Sequence, residues 1–203
     1  MTGSTHVALA LSATVGAKWL SDYHPDTAGW ICVILGSLAP DIDAGGATIS
    51  RPGSLARKLI PNWLCRFADG IGLFISRNVR RVFGHRNFFH WPILACIMIY
   101  GGFYYGVEPL AWFGWGYFWH IIGDFCTVRG APMLSPLWLR DISWSPIRTG
   151  SKEEHLIEVV LWTMILILFV LSVPLETREW LTQQGASLWS MTVDVWHKAQ
   201  KLI

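Results

Sequence analysis

The amino-acid sequence predicts an all-α, polytopic membrane protein with about five membrane-embedded helices and further amphipathic helices along the membrane surface. Apolar residues make up 52% of the chain and charged residues 15%, and the mean hydropathy is +0.37. The apolar share and the hydropathy are higher, and the charged share is lower, than in a typical soluble domain. The 13 tryptophans among 203 residues agree with this prediction, because indole side chains prefer the boundary between hydrocarbon and headgroups. The length predicts one domain over residues 1–203.

The first two apolar stretches, 6–20 and 28–40, are short. A helix of that length covers about 20 Å, so the pair forms either two short crossings or a thin, re-entrant hairpin. Small residues recur along both stretches and would let the two helices pack closely in lipid: Ala8, Ser12, Gly16, Gly29, Gly36 and Ser37.

The three later stretches are longer. Residues 88–107 and 110–126 are separated only by Glu108 and Pro109, which predicts a tight helical hairpin. The fifth stretch, 156–175, has twenty residues and a single charge, Glu158. That length is enough to cross a hydrocarbon core of about 30 Å.

Basic residues predict the orientation of these stretches. Segment 41–87 holds eight of them: Arg51, Arg57, Lys58, Arg66, Arg77, Arg80, Arg81 and Arg86. Segment 127–154 holds Arg129, Arg140, Arg148 and Lys152. Because cytoplasmic loops are enriched in Lys and Arg, both segments are expected in the cytoplasm, with the N-terminus inside and the C-terminus outside.

Two further segments have the pattern of amphipathic surface helices. One is 54–82, inside the basic cytoplasmic loop, and the other is the C-terminal segment 176–203. Such helices usually lie along a membrane. The net charge of only +2 argues against nucleic acid as a partner and leaves membrane lipids as the expected one.

Candidate metal ligands occur at one end of each apolar stretch, and the predicted topology places all of these ends on the cytoplasmic side. They are His6, Asp41, Asp43, His85, His90, His120, Asp124 and Glu154. His120 and Asp124 are four residues apart and therefore share a helix face. Each group has a simpler explanation by itself, such as a structural His–Asp hydrogen bond, an interfacial histidine or an aspartate in a helix-end turn. Their convergence on one face favours a metal site.

The type of ligand predicts the type of metal. Histidine and carboxylate ligands without thiolates suit one or two divalent ions, with zinc the first choice and manganese or iron the alternatives. The four cysteines, Cys32, Cys65, Cys96 and Cys126, form no CxxC pair, so they are interpreted as free thiols.

The same residues carry a family resemblance. In order along the chain, they are HVALALSA after His6, LAPDID, FGHRNFFH, GYFWHIIGD followed by Thr127 and Gly130, Pro136, and Gly150 with Glu154. Together they resemble the YdjM-type family, described as LexA-regulated, membrane-bound, metal-dependent hydrolases. The resemblance implies an all-helical protein of the bacterial inner membrane whose ordered His and Asp residues bind metal. More distantly, the pattern is similar to the helical zinc phospholipase C and P1-nuclease group, which cleaves phosphoesters.

The chain departs from the family pattern after Asp-x-Asp and around His90. Ala44 stands where a histidine usually follows Asp-x-Asp, and Phe89 and Trp91 stand where the family usually has Thr and Ser around the histidine equivalent to His90. One possible ligand and two small polar contacts are therefore missing.

The working hypothesis is a membrane-bound metal-dependent hydrolase that cleaves a phosphoester of a lipid or lipid-linked substrate at the cytoplasmic leaflet. Asp43 or Glu154 would act as general base or further ligand. Arg86 would either bind the phosphate or serve only as a positive-inside topology anchor. One alternative is a non-enzymatic membrane protein with a structural metal site, or a cation transporter. A membrane-tethered nuclease is a weaker alternative, because topology and anionic lipid already explain the basic residues.

Overall fold

The structure is a computed structural model that describes residues 1–21, 23–44, 47–53, 57–58, 61–83, 88–138 and 140–172. Within these ranges the chain forms six α-helices and no named strand, so the all-α prediction is confirmed. The helices are α1 (Gly3–Ser21), α2 (Thr27–Leu38), α3 (Asn62–Phe83), α4 (Pro92–Tyr104), α5 (Glu108–Phe125) and α6 (Lys152–Ser172). Short 3₁₀ turns cover Ala39–Asp43, Thr48–Ser50 and Phe88–His90.

Helix α5 lies at the centre of the bundle and packs against α1, α2 and α4. Its closest neighbour is α2, because glycines remove side-chain bulk on both sides. A Cβ atom at Gly36 would lie 2.0 Å from the carbonyl oxygen of Phe113, and one at Gly116 would lie 2.1 Å from that of Val33. The sequence assigned Gly36 to packing between the first two helices, whereas the structure uses it against α5.

The predicted hairpin is present as α4 and α5. Gly102 lets the two helices approach, since a Cβ atom there would lie 2.4 Å from the backbone nitrogen of Ala111. Gly106 forms the turn with φ +70°, a left-handed conformation that glycine adopts without strain. Helix α4 begins only at Pro92, a residue suited to the first helical position, so this helix is shorter than the predicted stretch 88–107.

Of the described helices, only α6 is both long and apolar enough to cross a membrane. It has 21 residues. Its most apolar 18-residue segment has a mean hydropathy of 2.3, and no residue of that segment is buried inside the protein. Five crossings are therefore not supported. Helices α2 and α4 have 12 and 13 residues and cover about 20 Å at 1.5 Å per residue, while polar and small residues lower the hydropathy of α1 and α5.

The contacts divide the chain into two units, Met1–Met164 and Ile165–Ile203. The first contains α1 to α5, the 3₁₀ turns and the start of α6. In the second, the described residues are the final turns of α6. The predicted C-terminal amphipathic helix at 176–203 lies outside the described residues, whereas α3 falls within the predicted amphipathic segment 54–82.

Candidate metal centre

Four of the predicted ligands meet in one place. They are Asp41, His90, His120 and Asp124, and one ligand atom from each lies within 4.8 Å of all the others. His90, His120 and Asp124 are fully buried, and Asp41 is partly exposed. The group joins three parts of the bundle that are far apart in sequence.

Local sequence explains how each side chain reaches the group. Helix α2 ends at Leu38, and Pro40 lies in the 3₁₀ turn that carries Asp41. The 3₁₀ turn Phe88–His90 ends just before Pro92, the first residue of α4. His120 and Asp124 project from the same face of α5 because residues four apart lie one turn apart on a helix.

The following contacts between the four side chains are longer than ordinary hydrogen bonds. Nε2 of His90 lies 3.5 Å from Oδ2 of Asp124 and 3.9 Å from Oδ1 of Asp41. Nε2 of His120 lies 3.8 Å and 3.9 Å from the same two oxygens. Two ligand atoms that each lie about 2.1 Å from a zinc ion in a tetrahedral site are about 3.4 Å apart. The side chains therefore fit around a shared ion better than they fit one another.

The orientation of His120 supports this interpretation. Its Nδ1 lies 2.7 Å from the carbonyl oxygen of Ser37 at the end of α2, so Nδ1 carries the proton and donates it to that oxygen. Nε2 then keeps its lone pair and faces Asp41 and Asp124 without a hydrogen-bond partner among the described residues. Metal-ligating histidines typically have such a backbone acceptor on the other ring nitrogen.

His6 joins the group from the opposite side of Asp124. Its Nε2 lies 3.4 Å from Oδ1 of Asp124, and its ring stacks on that of His120 with centroids 3.8 Å apart and planes 14° apart. The amino group of Met1 also donates to Oδ1, at 2.8 Å. Asp124 thus presents Oδ2 to His90 and His120 and Oδ1 to His6, an arrangement in which one carboxylate could bridge two ions.

Burial sets the charges of these side chains. Burial, together with the nearby imidazole of His120, lowers the pKa of His6 to about 4, and burial lowers the pKa of His120 to about 3. Burial alone would raise the pKa of Asp124, but contacts with His6 and His90 hold it below its usual value. Neutral imidazoles beside an ionised carboxylate are the protonation states that bind a metal.

A comparison with protein families gives the relationship of the chain. The family model for the YdjM inner membrane protein matches residues 1–181. The chain belongs to the YdjM inner membrane protein family. This confirms the resemblance seen in the sequence. No curated protein and no solved structure matches the chain.

The other sequence-predicted residues of this YdjM family member are not in the four-residue group. Asp43 is fully buried at the end of the 3₁₀ turn. Glu154 is also buried, and its oxygens accept hydrogen bonds from the backbone N–H groups of Thr2, at 2.5 Å, and Gly150. Glu154 therefore connects the start of the chain to the start of α6. His85 and Arg86 lie outside the described residues, and all four assignments stay predictions.

One contributor to the site was missed at the sequence level. The hydroxyl of Tyr117 donates to the carbonyl oxygen of Phe89, the residue before His90. Tyr117 lies three residues before His120 on α5, which is the only sequence signal that could have indicated it. The contact uses the backbone of Phe89, so it does not depend on the side chain that replaces the Thr usual in the YdjM family.

A cavity of about 330 Å³ opens beside Asp41, the one partly exposed ligand, which has 18% of its side chain accessible. The cavity is lined by polar and apolar residues, namely Met1, Thr2, Gly3, Leu38, Asp41, Ala47, Ile49 and Thr149. A small molecule could approach the four ligands from this side.

Proposed function

We propose that this YdjM family member is a membrane-bound, metal-dependent hydrolase that cleaves a phosphoester of a lipid or lipid-linked substrate. The observation that carries the proposal is the group of Asp41, His90, His120 and Asp124, in which buried ligands converge while Asp41 lines a cavity. This combination would give an ion an enclosed set of ligands and a substrate a route to it.

The donor set suits a divalent ion, with zinc the first choice and manganese or iron the alternatives, because it contains two imidazoles and two carboxylates. Such an ion lowers the pKa of water and stabilises negative charge on phosphoryl oxygens. A second ion, if two are bound, would use His6 and Oδ1 of Asp124, and the amino group of Met1 would then have to leave that oxygen.

The protein residues would hold and orient the substrate. The cavity is at the small end of ligand sites, which span about 300–1,000 Å³, so it suits a phosphorylated headgroup rather than a whole lipid. Arg86 is proposed to bind the phosphate with its planar guanidinium, and Asp43 or Glu154 is proposed as general base. Because both Glu154 oxygens accept backbone hydrogen bonds, that role would require Glu154 to release one of them.

The proposed location is the cytoplasmic leaflet of the inner membrane. The family is one of inner membrane proteins, and the basic residues of segments 41–87 and 127–154 favour a cytoplasmic position for these segments and for the N-terminus. Asp41 and His90 lie in 3₁₀ turns at helix ends. Transport sites usually lie near the bilayer midplane, so this position favours hydrolysis over cation transport.

A structural metal site is the second candidate function. Full burial of His90, His120 and Asp124 favours it, because structural ions are enclosed by protein. The exposure of Asp41 to a cavity favours the hydrolase. A nuclease activity stays the weakest candidate, since lipid and topology account for the same basic residues.

The metal should be measured first. Full-length protein purified in mild detergent should contain stoichiometric zinc, manganese or iron by elemental analysis, and His120→Ala should lose it. His155→Ala is the matched control, because 77% of the His155 side chain is exposed. Among the described ion pairs, this side chain takes part only in the one with Glu158. Wild-type protein without any of the three metals would overturn the proposal.

Turnover should be measured next. Metal-loaded protein would be screened with phospholipids, isoprenoid phosphates and single-stranded DNA, and the Asp41→Asn variant would serve as the inactive control. Phosphate release from a lipid substrate by wild type alone supports the hydrolase. Metal binding without turnover of any substrate favours the structural site, and turnover of DNA alone favours the nuclease.

A further inference from the structure

Helix α3 has one face packed against the rest of the protein. Cys65 and Ser76 are buried on this face. Gly72 meets the 3₁₀ turn Thr48–Ser50, where a Cβ atom would lie 2.6 Å from the carbonyl oxygen of Ser50. The helix is therefore fixed in orientation, and its remaining faces point away from the packed side.

A second face of α3 is apolar and exposed. Trp63, Phe67 and Phe74 are 70%, 63% and 69% exposed, and Ile71 and Ile75 are 47% and 44% exposed. The spacing from Trp63 to Phe67, Ile71 and Phe74 is four, four and three residues, which places these side chains in one stripe along the helix. Large aromatic side chains in such a continuous stripe normally contact a partner.

Basic residues border the apolar stripe. Three exposed arginines project from the side of α3 next to Trp63 and Phe74, namely Arg66, Arg77 and Arg80. The exposed Arg81 lies in line with the apolar stripe, toward the C-terminal end of the helix. Asp69 is the one acidic residue of the helix. The partner of this surface is therefore expected to present hydrocarbon beside negative charge.

We propose that α3 lies in the headgroup region of the bilayer and binds anionic phospholipids. The aromatic and aliphatic stripe would enter the boundary between headgroups and acyl chains, and the arginines would reach the phosphates. Basic residues near an anionic membrane surface are attracted to it. The chain belongs to a family of inner membrane proteins, which supports a lipid partner for α3.

The lipid contact has a consequence for the metal centre. Ser50, which packs on Gly72 of α3, donates its hydroxyl to the carbonyl oxygen of Ala44 at 2.8 Å. Ala44 follows the 3₁₀ turn that carries Asp41. A lipid-bound α3 would hold this turn near headgroup depth. This consequence rests on the proposed function, whereas the lipid contact itself does not.

Quenching of Trp63 by brominated lipids tests the proposal. Full-length protein would be reconstituted into vesicles of phosphatidylcholine with or without phosphatidylglycerol, each containing phosphatidylcholine with brominated chains. The difference between wild type and Trp63→Phe isolates the signal of Trp63. We expect Trp63 to be quenched, and more strongly when phosphatidylglycerol is present. Phe67→Trp in the Trp63→Phe background should restore quenching, because both residues lie on the same stripe.

Charge variants separate anionic lipid from lipid in general. Combined replacement of Arg77, Arg80 and Arg81 by alanine should remove the effect of phosphatidylglycerol. Combined replacement of Arg129, Arg148 and Lys152 by alanine removes the same number of charges elsewhere and should preserve the effect of phosphatidylglycerol. Circular dichroism would check that both variants are folded. Equal quenching in both lipid mixtures overturns the anionic preference, and no quenching at either tryptophan position overturns the lipid contact. Cross-linking of two copies through α3 would assign the stripe to a second copy and would also overturn the proposal.

Discussion

Nδ1 of His120 donates a hydrogen bond to the carbonyl oxygen of Ser37 at 2.7 Å. Ser37 is fully buried near the end of α2, and His120 is fully buried on α5. The bond therefore connects the close contact between these two helices to the candidate metal centre. It leaves Nε2 of His120 directed toward Asp41 and Asp124, which is the arrangement that a ligand needs.

We expect His120→Ala to remove both the ligand and this bond. Metal added to wild type should raise its unfolding temperature, because a ligand that binds only the folded state at about 100 times its Kd adds about 2.7 kcal/mol. The variant should show no such rise. Thermal unfolding in detergent with metal and with a chelator measures the difference. His155→Ala should respond like wild type, and a full metal response in His120→Ala would show that His120 is not a ligand.

Tyr117→Phe tests a positioning residue. Its hydroxyl holds the carbonyl of Phe89, so its loss should loosen His90 while all four ligands remain. Loss of such a supporting contact typically lowers metal affinity about 10- to 100-fold, and titration with a metal-sensitive dye would measure the change. Saturating metal should restore occupancy, which separates positioning from ligation. The control is Tyr105→Phe at a 78% exposed position, and equal affinities in both variants would contradict the role of Tyr117.

Several parts of the site could be predicted from the sequence because they depend on local geometry. The spacing of His120 and Asp124 fixes a shared helix face, and Pro40 ends α2 and leads into the turn that carries Asp41. Four of the eight predicted ligands, Asp41, His90, His120 and Asp124, come together in one group that could hold an ion. The all-α architecture followed from composition and from the length of the apolar stretches.

Other parts depend on contacts between distant segments. The acceptor of His120 is a backbone carbonyl brought near by Gly36 and Gly116, and a backbone atom has no sequence signature. Five crossings are not supported, because α2 and α4 are too short to span and because polar and small residues lower the hydropathy of α1 and α5. Pro92 starts α4 four residues into the stretch 88–107, and the resulting 13-residue helix is too short to span.

Gly116→Ala tests the contact between α2 and α5. A Cβ atom at Gly116 would lie 2.1 Å from the Val33 carbonyl oxygen, so α2 would have to move away. Overpacking of this kind typically costs about 1–3 kcal/mol. Chemical unfolding should show this loss, together with weaker metal binding, because Ser37 moves with α2.

Gly101→Ala provides the matched control for Gly116→Ala. Gly101 lies inside α4, and a Cβ atom there meets nothing within 4 Å. Replacement of glycine by alanine in a helix interior stabilises by about 0.5–1 kcal/mol. The two substitutions should therefore have opposite signs, and equal effects would show that the close approach of α2 and α5 is not what Gly116 provides.

Glu154→Ala distinguishes a structural carboxylate from a metal ligand. The carboxylate accepts hydrogen bonds from the N–H groups of Thr2 and Gly150, and a hydrogen bond within a protein typically contributes about 0.5–1.5 kcal/mol. We therefore expect a lower unfolding temperature with the metal content unchanged. Glu153→Ala removes the same charge from an exposed position in the same turn and should change the unfolding temperature less. Loss of metal from Glu154→Ala, with the same unfolding temperature as wild type when both are measured in chelator, would instead identify Glu154 as a ligand, because the carboxylate would then act through the ion alone.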